Sequence, residues 1–143
     1  MKNLIVLLTV LLSFNTQALE LIISGFSHHL EKPVEAGVLP YEYNEVNPGA
    51  GIEHNNFEFI IVENSHSNTS VVAAYNLRKH VNQHLDVSLK LGGATGYENI
   101  PVRPVIIPTV TVWFKQVGIE TGYIVDTSGD LYGTFTFNAR VRF

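Results

Sequence analysis

The stretch that decides the fold is LYGTFTFNARVRF, the last part of the chain, from Leu131 to Phe143. Apolar or small residues alternate with mostly polar ones along it. One face would carry Leu131, Gly133, Phe135, Phe137, Ala139, Val141 and Phe143, and the other Tyr132, Thr134, Thr136, Asn138, Arg140 and Arg142. Successive side chains of a β-strand point to opposite faces, so a period of two predicts a strand. The contrast between the faces indicates that the strand separates an apolar environment from a polar one.

The final residue indicates which apolar environment the strand faces. The chain ends on Phe143, and a terminal aromatic residue after such a strand resembles the C-terminal signal of bacterial outer-membrane barrel proteins. A strand of a soluble β-sandwich would alternate in the same way, but a sandwich offers no reason for the sequence to end on this aromatic residue. We therefore expect a membrane β-barrel.

The beginning of the chain has the pattern of a secretory signal peptide. Lys2 precedes an apolar run from Leu4 to Leu12, and a polar stretch follows that closes at Ala18. The run is too short for a membrane-spanning helix, which needs about 20 residues. We predict cleavage after Ala18, so that residues 1–18 are removed and residues 19–143 form one domain in the cell outer membrane.

Composition narrows the class further. The chain has no cysteine, so an exported domain must be stable without disulfides. Thirteen acidic residues outnumber nine basic ones, which argues against nucleic acid as a partner. After the signal peptide no apolar run could form a spanning helix, and lipid satisfies no backbone hydrogen bonds, which leaves a closed barrel. We expect no cofactor and no metal site, since His80 and His84 flank a turn.

Eight strands can be assigned, which predicts an all-β fold, an eight-stranded antiparallel up-and-down transmembrane β-barrel of the outer-membrane type. The predicted strands are Leu19–Leu30, Glu45–His54, Phe57–Asn64, Ser70–Lys79, His84–Gly93, Pro104–Phe114, Val117–Asp126 and Leu131–Phe143. The longer connections follow odd strands and the shorter ones follow even strands. With both termini in the periplasm, the longer loops lie outside the cell.

Alternation within the strands predicts which side chains face lipid and which face the lumen. Lipid should contact Leu85, Val87, Leu89 and Leu91, while an aromatic girdle at the membrane surface would contain Trp113, Phe114 and Tyr123. Charged side chains should collect and pair in the lumen: Asp86, Lys90, Glu120, Arg140 and Arg142. Because eight strands leave an interior that side chains can fill, we expect a structural plug and not a channel.

Part of the lumen is expected to be apolar. An inward His29 on the first strand would bring with it Leu21, Ile23, Gly25 and Ser27, and an inward Ser70 on the fourth would bring Val72 and Ala74. Such a lumen could hold an acyl chain, or these residues could simply fill the barrel.

Prolines within the predicted strands suggest sideways access to the lumen. A strand proline removes a ladder hydrogen bond and normally occurs at an edge, a strand start or a bulge. Pro48, Pro104 and Pro108 therefore predict gaps between strands that could admit a lipid tail. Pro104 could equally mark an ordinary transition from loop to strand.

Several short motifs, in order along the chain, resemble the family of outer-membrane lipid A palmitoyltransferases (PagP). They are His28-His29, Tyr43-Asn44-Glu45 followed by Pro48, Gly49 and Gly51, then Asn64-Ser65, then Ile100-Pro101 with Pro104 and Pro108, and the aromatic last strand. The resemblance implies an eight-stranded barrel that moves a palmitoyl chain from a phospholipid to lipid A. Its partners would be phospholipid, lipid A and the outer membrane, and we expect a monomer.

The same resemblance implies the catalytic residues. The histidine of the family falls on His29, or on its neighbour His28, and the serine falls on Ser65. The family has an aspartate before the serine, whereas this chain has Asn64, which carries no negative charge. Asn64 is still a candidate catalytic residue, since its amide could donate a hydrogen bond to the developing oxyanion. The amphipathic helix that precedes the barrel in better-known members is also missing.

Three functions remain open at this point. One is acyl transfer between outer-leaflet lipids, with His29 as base and Ser65 as nucleophile or positioning group. Another is a non-catalytic small barrel with a binding or surface-modifying role, which Asn64 favours. The third, a periplasmic lipid-binding barrel of the lipocalin kind, leaves the terminal Phe143 unexplained.

Overall fold

The computed structural model describes residues 19–30, 42–98, 100–125 and 133–143. The predicted signal peptide and most of the first and last long connections lie outside these ranges. The described residues form β1 (Glu20–His29), β2 (Val46–His54), β3 (Phe57–Glu63), β4 (Thr69–Asn82), β5 (Leu85–Ala94), β6 (Arg103–Phe114), β7 (Val117–Ile124) and β8 (Thr134–Arg142). No helix in these ranges is long and apolar enough to cross a bilayer.

The eight strands form a closed barrel in chain order. Each strand pairs with the next in an antiparallel ladder, and β8 pairs back with β1 from Glu20 opposite Arg142 to His29 opposite Thr134. Closure leaves no free sheet edge, so every strand has a partner on both sides. The predicted eight-stranded antiparallel up-and-down barrel is confirmed. Its strand ends differ by a few residues, as at β4, which continues to Asn82 and not only to Lys79.

Tight hairpins lie at the end of the barrel that also holds the start of β1 and the end of β8. Asn55 and Asn56 join β2 to β3 with φ angles of 52° and 66°, a left-handed conformation that asparagine tolerates and that a two-residue hairpin needs. Lys115, with a φ of 59°, begins the equivalent turn between β6 and β7. The connections from β3 to β4 and from β5 to β6 begin at the opposite end, which we call the mouth end.

The barrel has an apolar exterior and a charged interior. Outward aromatic side chains are largely exposed, with 62% of Phe26, 65% of Phe57 and 64% of Phe114 accessible, whereas Arg140 is fully buried and Glu120 nearly so. A soluble barrel would have the reverse distribution, because exposed apolar area is unfavourable in water. The exterior therefore suits lipid, as alternation predicted for Val87 and Leu91.

A β-bulge in β1 overturns the predicted apolar stripe of that strand. The pairing of β1 with both of its neighbours shifts between Ser24 and Phe26, at Gly25. A bulge inserts one residue and so reverses which face the following side chains occupy. As a result Ile22 is buried in the lumen while Ile23 is 48% exposed outside, although His29 and Ser27 do point inward. On β4, Ser70 and Ala74 are buried and Val72 lines the same interior, as predicted.

A cluster of charged side chains fills the lumen near the short hairpins, and we call it the plug. It consists of Glu20, Glu53, Glu58, Arg78, Lys90, Glu120 and Arg140. Arg140 bonds to a carboxylate on each of four strands, at 2.8 Å to Glu20, 3.0 Å to Glu58 and 2.6 Å to Glu120, with Glu53 as the fourth. Lys90 bridges Glu58 and Glu120, at 2.8 and 2.7 Å. The plug occupies the interior, as predicted for Lys90, Glu120 and Arg140.

Two predicted members of the charged cluster lie in a separate group below the plug, and so does the predicted girdle residue Trp113. Asp86 is bonded to His80 Nδ1 at 2.6 Å and accepts a hydrogen bond from Trp113 Nε1 at 2.8 Å. Arg142 stacks over the indole, 4.1 Å from the ring centroid. The prediction that Trp113 anchors the barrel at the membrane surface is wrong, because it occupies an inward position of β6 and is only 1% exposed.

Candidate functional site

A chamber opens above the plug, in the half of the lumen toward the mouth end. Its volume is about 110 Å³, room for several water-sized groups or part of a flexible chain. The plug residues Glu58, Lys90 and Glu120 form its floor, so the chamber is blind. Aliphatic side chains supply one wall: Ile60, Val62, Val72, Ala94 and Val105. The partly apolar lumen expected from the sequence is therefore present, built mainly by β3 to β6 and not by β1.

His29, the predicted catalytic histidine, ends β1 at the mouth end with its side chain turned inward. It is 7% exposed, and its ring stacks on Tyr43 with centroids 4.2 Å apart and planes 11° from parallel. In the described part of the chain, its buried Nδ1 has no hydrogen-bond partner. The backbone N–H of His29 donates to Glu45 Oε1 at 3.3 Å. An oriented imidazole with an unused nitrogen can accept a proton from a group that enters the barrel.

His28, the alternative candidate, points the other way. Its side chain is 64% exposed on the outside of the barrel, and its Nδ1 lies 3.1 Å from Glu45 Oε1. Strand alternation places neighbouring histidines on opposite faces, so only His29 shares the interior with the chamber.

Ser65 lies on the wall of the chamber, directly after β3. Its backbone oxygen accepts a hydrogen bond from the N–H of Asn44 at 2.9 Å, which ties this loop to the segment before β2. Within the described ranges no hydrogen bond joins the side chains of His29 and Ser65. The structure thus brings both residues to the mouth end without forming a preassembled pair.

The side chain of Asn64 holds the β3–β4 loop in place through hydrogen bonds. Its Nδ2 donates to the carbonyl oxygen of Gly96 at 2.9 Å, and its Oδ1 accepts from the backbone N–H of His66 at 2.9 Å and of Asn68 at 3.1 Å. An aspartate could accept the last two bonds but could not donate the first. This geometry gives a physical reason for the amide: it fastens the loop that carries Ser65 to the loop after β5.

An aromatic row crosses the mouth end beside these residues. His66 makes edge contacts with Tyr43 and Tyr97, each with ring centroids 5.8 Å apart, and Arg103 lies 4.8 Å above the Tyr97 ring. Burial raises the pKa of the Tyr97 phenol, with the nearby Arg103 acting in the opposite direction, so Tyr97 stays a neutral hydrogen-bond donor. Sequence reasoning gave no role to Tyr97 or Arg103, because loop contacts have no periodic signature.

The predicted access prolines, Pro48, Pro104 and Pro108, are all exposed on the outer face. The β6–β7 ladder stops at Thr109 opposite Gly122, one residue after Pro108, and beyond it Val125 N–H donates to Ile106 O at 3.0 Å. Alternate residues of a strand direct their backbone groups to the same neighbour, so the donor that Pro108 lacks would have faced β7. At Pro48 the β1–β2 register jumps from Gly49 to Val46. Pro104 instead lies within the β5–β6 ladder, opposite Gly93.

No group of three potential metal ligands occurs among the described residues. The polar groups that the chamber and its mouth offer include the hydroxyl of Ser65, the imidazole of His29 and the amide of Asn64. Base-assisted acyl transfer is one reaction that needs only such groups.

An apolar exterior, a charged interior and full closure define this molecule as an eight-stranded β-barrel of the outer-membrane type. The chain matches no family model and no curated protein. Among solved structures it is similar to the Yersinia pestis outer membrane protein Ail in a phospholipid bilayer nanodisc. The identity is 15%, the match covers 89% of this chain and 100% of that chain, and the TM-score is 0.45.

Proposed function

We propose that this protein is an outer-membrane acyltransferase that moves an acyl chain, palmitoyl by family resemblance, from a phospholipid to lipid A. The observation that carries the proposal is the blind, partly apolar chamber that Ser65 lines, with His29 buried two residues beyond the lining residue Ser27 on β1. A chamber of this kind can hold part of a hydrocarbon chain while the ester carbonyl remains at the mouth end. The apolar exterior supports residence in the outer membrane, since the exposed side chains match a lipid environment.

The proposed reaction is a transesterification. His29 accepts a proton from the attacking hydroxyl, which belongs either to Ser65 or directly to lipid A, and the hydroxyl oxygen bonds to the ester carbonyl carbon. The ester C–O bond then breaks, and the proton passes from His29 to the departing lysophospholipid oxygen. If Ser65 is acylated first, a lipid A hydroxyl repeats the same steps on the acyl-serine. Ester bonds are exchanged one for one, so no external energy source is required.

The strand interruptions at Pro48 and Pro108 support entry of the acyl chain from the side. A lipid tail must leave the bilayer and enter the lumen, and an intact ladder would block that path. At Pro108 the missing donor coincides with the end of the β6–β7 ladder. A tail that entered there would reach Val105 and Ile107 on the chamber wall.

A non-catalytic barrel is the second candidate, and the geometry of Asn64 favours it. Both the nitrogen and the oxygen of the amide bond to backbone groups, and the amide supplies no negative charge to support an imidazolium. In that case the same loops would serve as a surface that binds a partner, and the chamber would be filled without turnover.

Mass spectrometry of lipid A and phospholipids can decide between the two. Cells would express the wild type, His29→Ala, Ser65→Ala or an empty vector, with His54→Ala, at the opposite end of the barrel, as the matched histidine control. Acyl transfer predicts an additional acyl chain on lipid A and a matching lysophospholipid with the wild type and His54→Ala, and neither product with His29→Ala. Unchanged lipids, with the barrel shown to be folded in the outer membrane, would reject the acyltransferase and leave the binding role.

A further inference from the structure

The chamber has a second wall that is polar. Its residues are Ser27 on β1, Asn47 on β2, Thr109 on β6 and Thr136 on β8, all of which line the chamber. We call these four residues the polar wall. It is distinct from the aliphatic wall of β3 to β6, so that the chamber has two chemically different sides.

Strand register makes most of this wall continuous. Thr109 pairs with Gly122 on β7, Gly122 pairs with Thr136, and Thr136 pairs with Ser27. At the middle of this row, a Cβ on Gly122 would lie 2.8 Å from Thr136 Oγ1, 2.9 Å from Ile107 Cγ2 and 3.1 Å from Thr109 Cγ2. Because Gly122 has no side chain, the two threonines can approach each other across β7. Since strands are tilted in a barrel, the row descends at a slant from the mouth toward the plug.

Three atoms of the polar wall are buried without a hydrogen-bond partner in the described part of the chain. They are Ser27 Oγ, Asn47 Oδ1 and Thr109 Oγ1, on residues that are only 7%, 6% and 4% exposed. Buried polar groups in proteins are nearly always hydrogen-bonded, so we expect these atoms to bond to a group that is not part of the chain. A plain hydrocarbon chain would satisfy the aliphatic wall but leave all three atoms unpaired.

We propose that the chamber binds an acyl chain that bears a hydroxyl group, in preference to an unsubstituted chain. The methylene groups would pack on the aliphatic wall while the hydroxyl bonds to the polar wall. Ser27 lies two residues below His29, a distance of about 5 Å along the barrel axis for a tilted strand. A chain with its carbonyl near His29 would thus bring a hydroxyl on one of its first few carbons to Ser27 and Asn47. This inference deepens the proposed function and rests on it for the placement of the carbonyl.

Direct binding tests the inference without requiring turnover. The full chain in lipid nanodiscs would be titrated with a saturated fatty acid and with the 3-hydroxy acid of the same length, subtracting the partition of each acid into empty nanodiscs. Methyl NMR signals of threonine and isoleucine would report occupancy, since Thr109 and Ile60 line opposite walls. We expect the hydroxy acid to bind about tenfold more tightly, the effect of one net hydrogen bond.

Ser27→Ala is the decisive variant, because Ser27 lies nearest the expected position of the 3-hydroxyl group. It removes one hydroxyl from the polar wall, and the preference should fall to about twofold or less, as one hydrogen bond is lost. Thr111→Val removes a buried hydroxyl outside the chamber and should keep the preference. Thr109→Val tests the far end of the polar wall, three strands from Ser27, and should reduce the preference only for a chain that carries its hydroxyl deeper in the chamber.

The outcomes separate this inference from the proposed function. Equal binding of the two acids by the wild type, binding of neither, or a preference that survives both Thr109→Val and Ser27→Ala would overturn the inference, and would mean that the polar wall holds water only. A clear preference in a protein that leaves cellular lipids unchanged would support the binding inference and reject the transferase. Acyl transfer to lipid A by a protein that binds the two acids equally would support the transferase and overturn the binding inference.

Discussion

Asn64 Nδ2 donates a hydrogen bond to the carbonyl oxygen of Gly96, 2.9 Å away, and so connects the loop that follows β3 to the loop that follows β5. Gly96 has a φ of 86°, which places its carbonyl in a conformation that residues with a side chain rarely adopt. A Cβ there would also lie 2.5 Å from Thr69 O and 3.2 Å from Asn64 Nδ2. The amide and the glycine therefore form one structural unit beneath Ser65.

Replacing this amide tests whether it holds the mouth end together. Asn64→Asp should destabilise the barrel by about 1–3 kcal/mol, because a carboxylate would face the Gly96 carbonyl with no proton to donate. Urea unfolding in micelles, followed by tryptophan fluorescence, measures the change. Asn68→Asp, at an exposed position of the same loop, is the control and should have little effect. If Asn64→Asp is as stable as the wild type and transfers more acyl chain, the amide lowers the activity and does not stabilise the loop.

Arg140 should contribute more to the stability of the barrel than a charged residue outside the plug does. Arg140→Met leaves four buried carboxylates without their shared cation and should lower the free energy of unfolding by about 3–5 kcal/mol, or prevent folding. Arg142→Met, two residues along the same strand, removes a half-buried cation that stacks on Trp113 and should change stability by about 1 kcal/mol. Urea midpoints of the two variants give the comparison. Equal midpoints would mean that water or protons compensate the carboxylates.

Filling the chamber should block ligand binding while leaving the exterior unchanged. Ala94 is 3% exposed on the chamber wall, and Ala94→Leu places three additional carbon atoms inside. We expect acyl-chain binding to weaken at least about tenfold, with a stability cost of about 1–3 kcal/mol from overpacking. Ala73→Leu, on the outer face of β4, should leave binding unchanged. Titration of both variants in nanodiscs checks this, and undiminished binding by Ala94→Leu would place the chain elsewhere.

Closing the interruption between β6 and β7 should slow acyl transfer. Pro108→Val supplies a backbone N–H directed toward β7, so the ladder can extend by one bond and narrow the lateral path. We expect less lipid A product per unit of folded protein, with stability unchanged or slightly raised. Pro101→Val, in the loop before β6, is the proline control. Full activity in Pro108→Val would show that lipid tails enter by another route, such as the interruption at Pro48.

Strand assignment succeeded because alternation is a local property that each strand displays by itself. The bulge at Gly25 was not predictable in this way, because the extra residue is defined by the register of two neighbouring strands. Four plug residues were missed for a related reason, because their partners come from strands far away in sequence: Glu20, Glu53, Glu58 and Arg78. At the mouth end, family resemblance indicated His29 and Ser65. The contacts of His66 with two tyrosines depend on loop conformation, which carries no period.

The plug also bears on how the barrel assembles. Glu20, Glu53 and Glu58 belong to the first three strands, whereas Arg140, which contacts all of them, belongs to the last. Before β8 joins β1, Arg140 can pair with Glu120 on the neighbouring β7, but Glu20, Glu53 and Glu58 lack their contact with it. An open sheet would therefore leave these three carboxylates short of positive charge. Joining β8 to β1 completes their compensation, so the ion pairs of the plug favour the closed barrel over an open sheet.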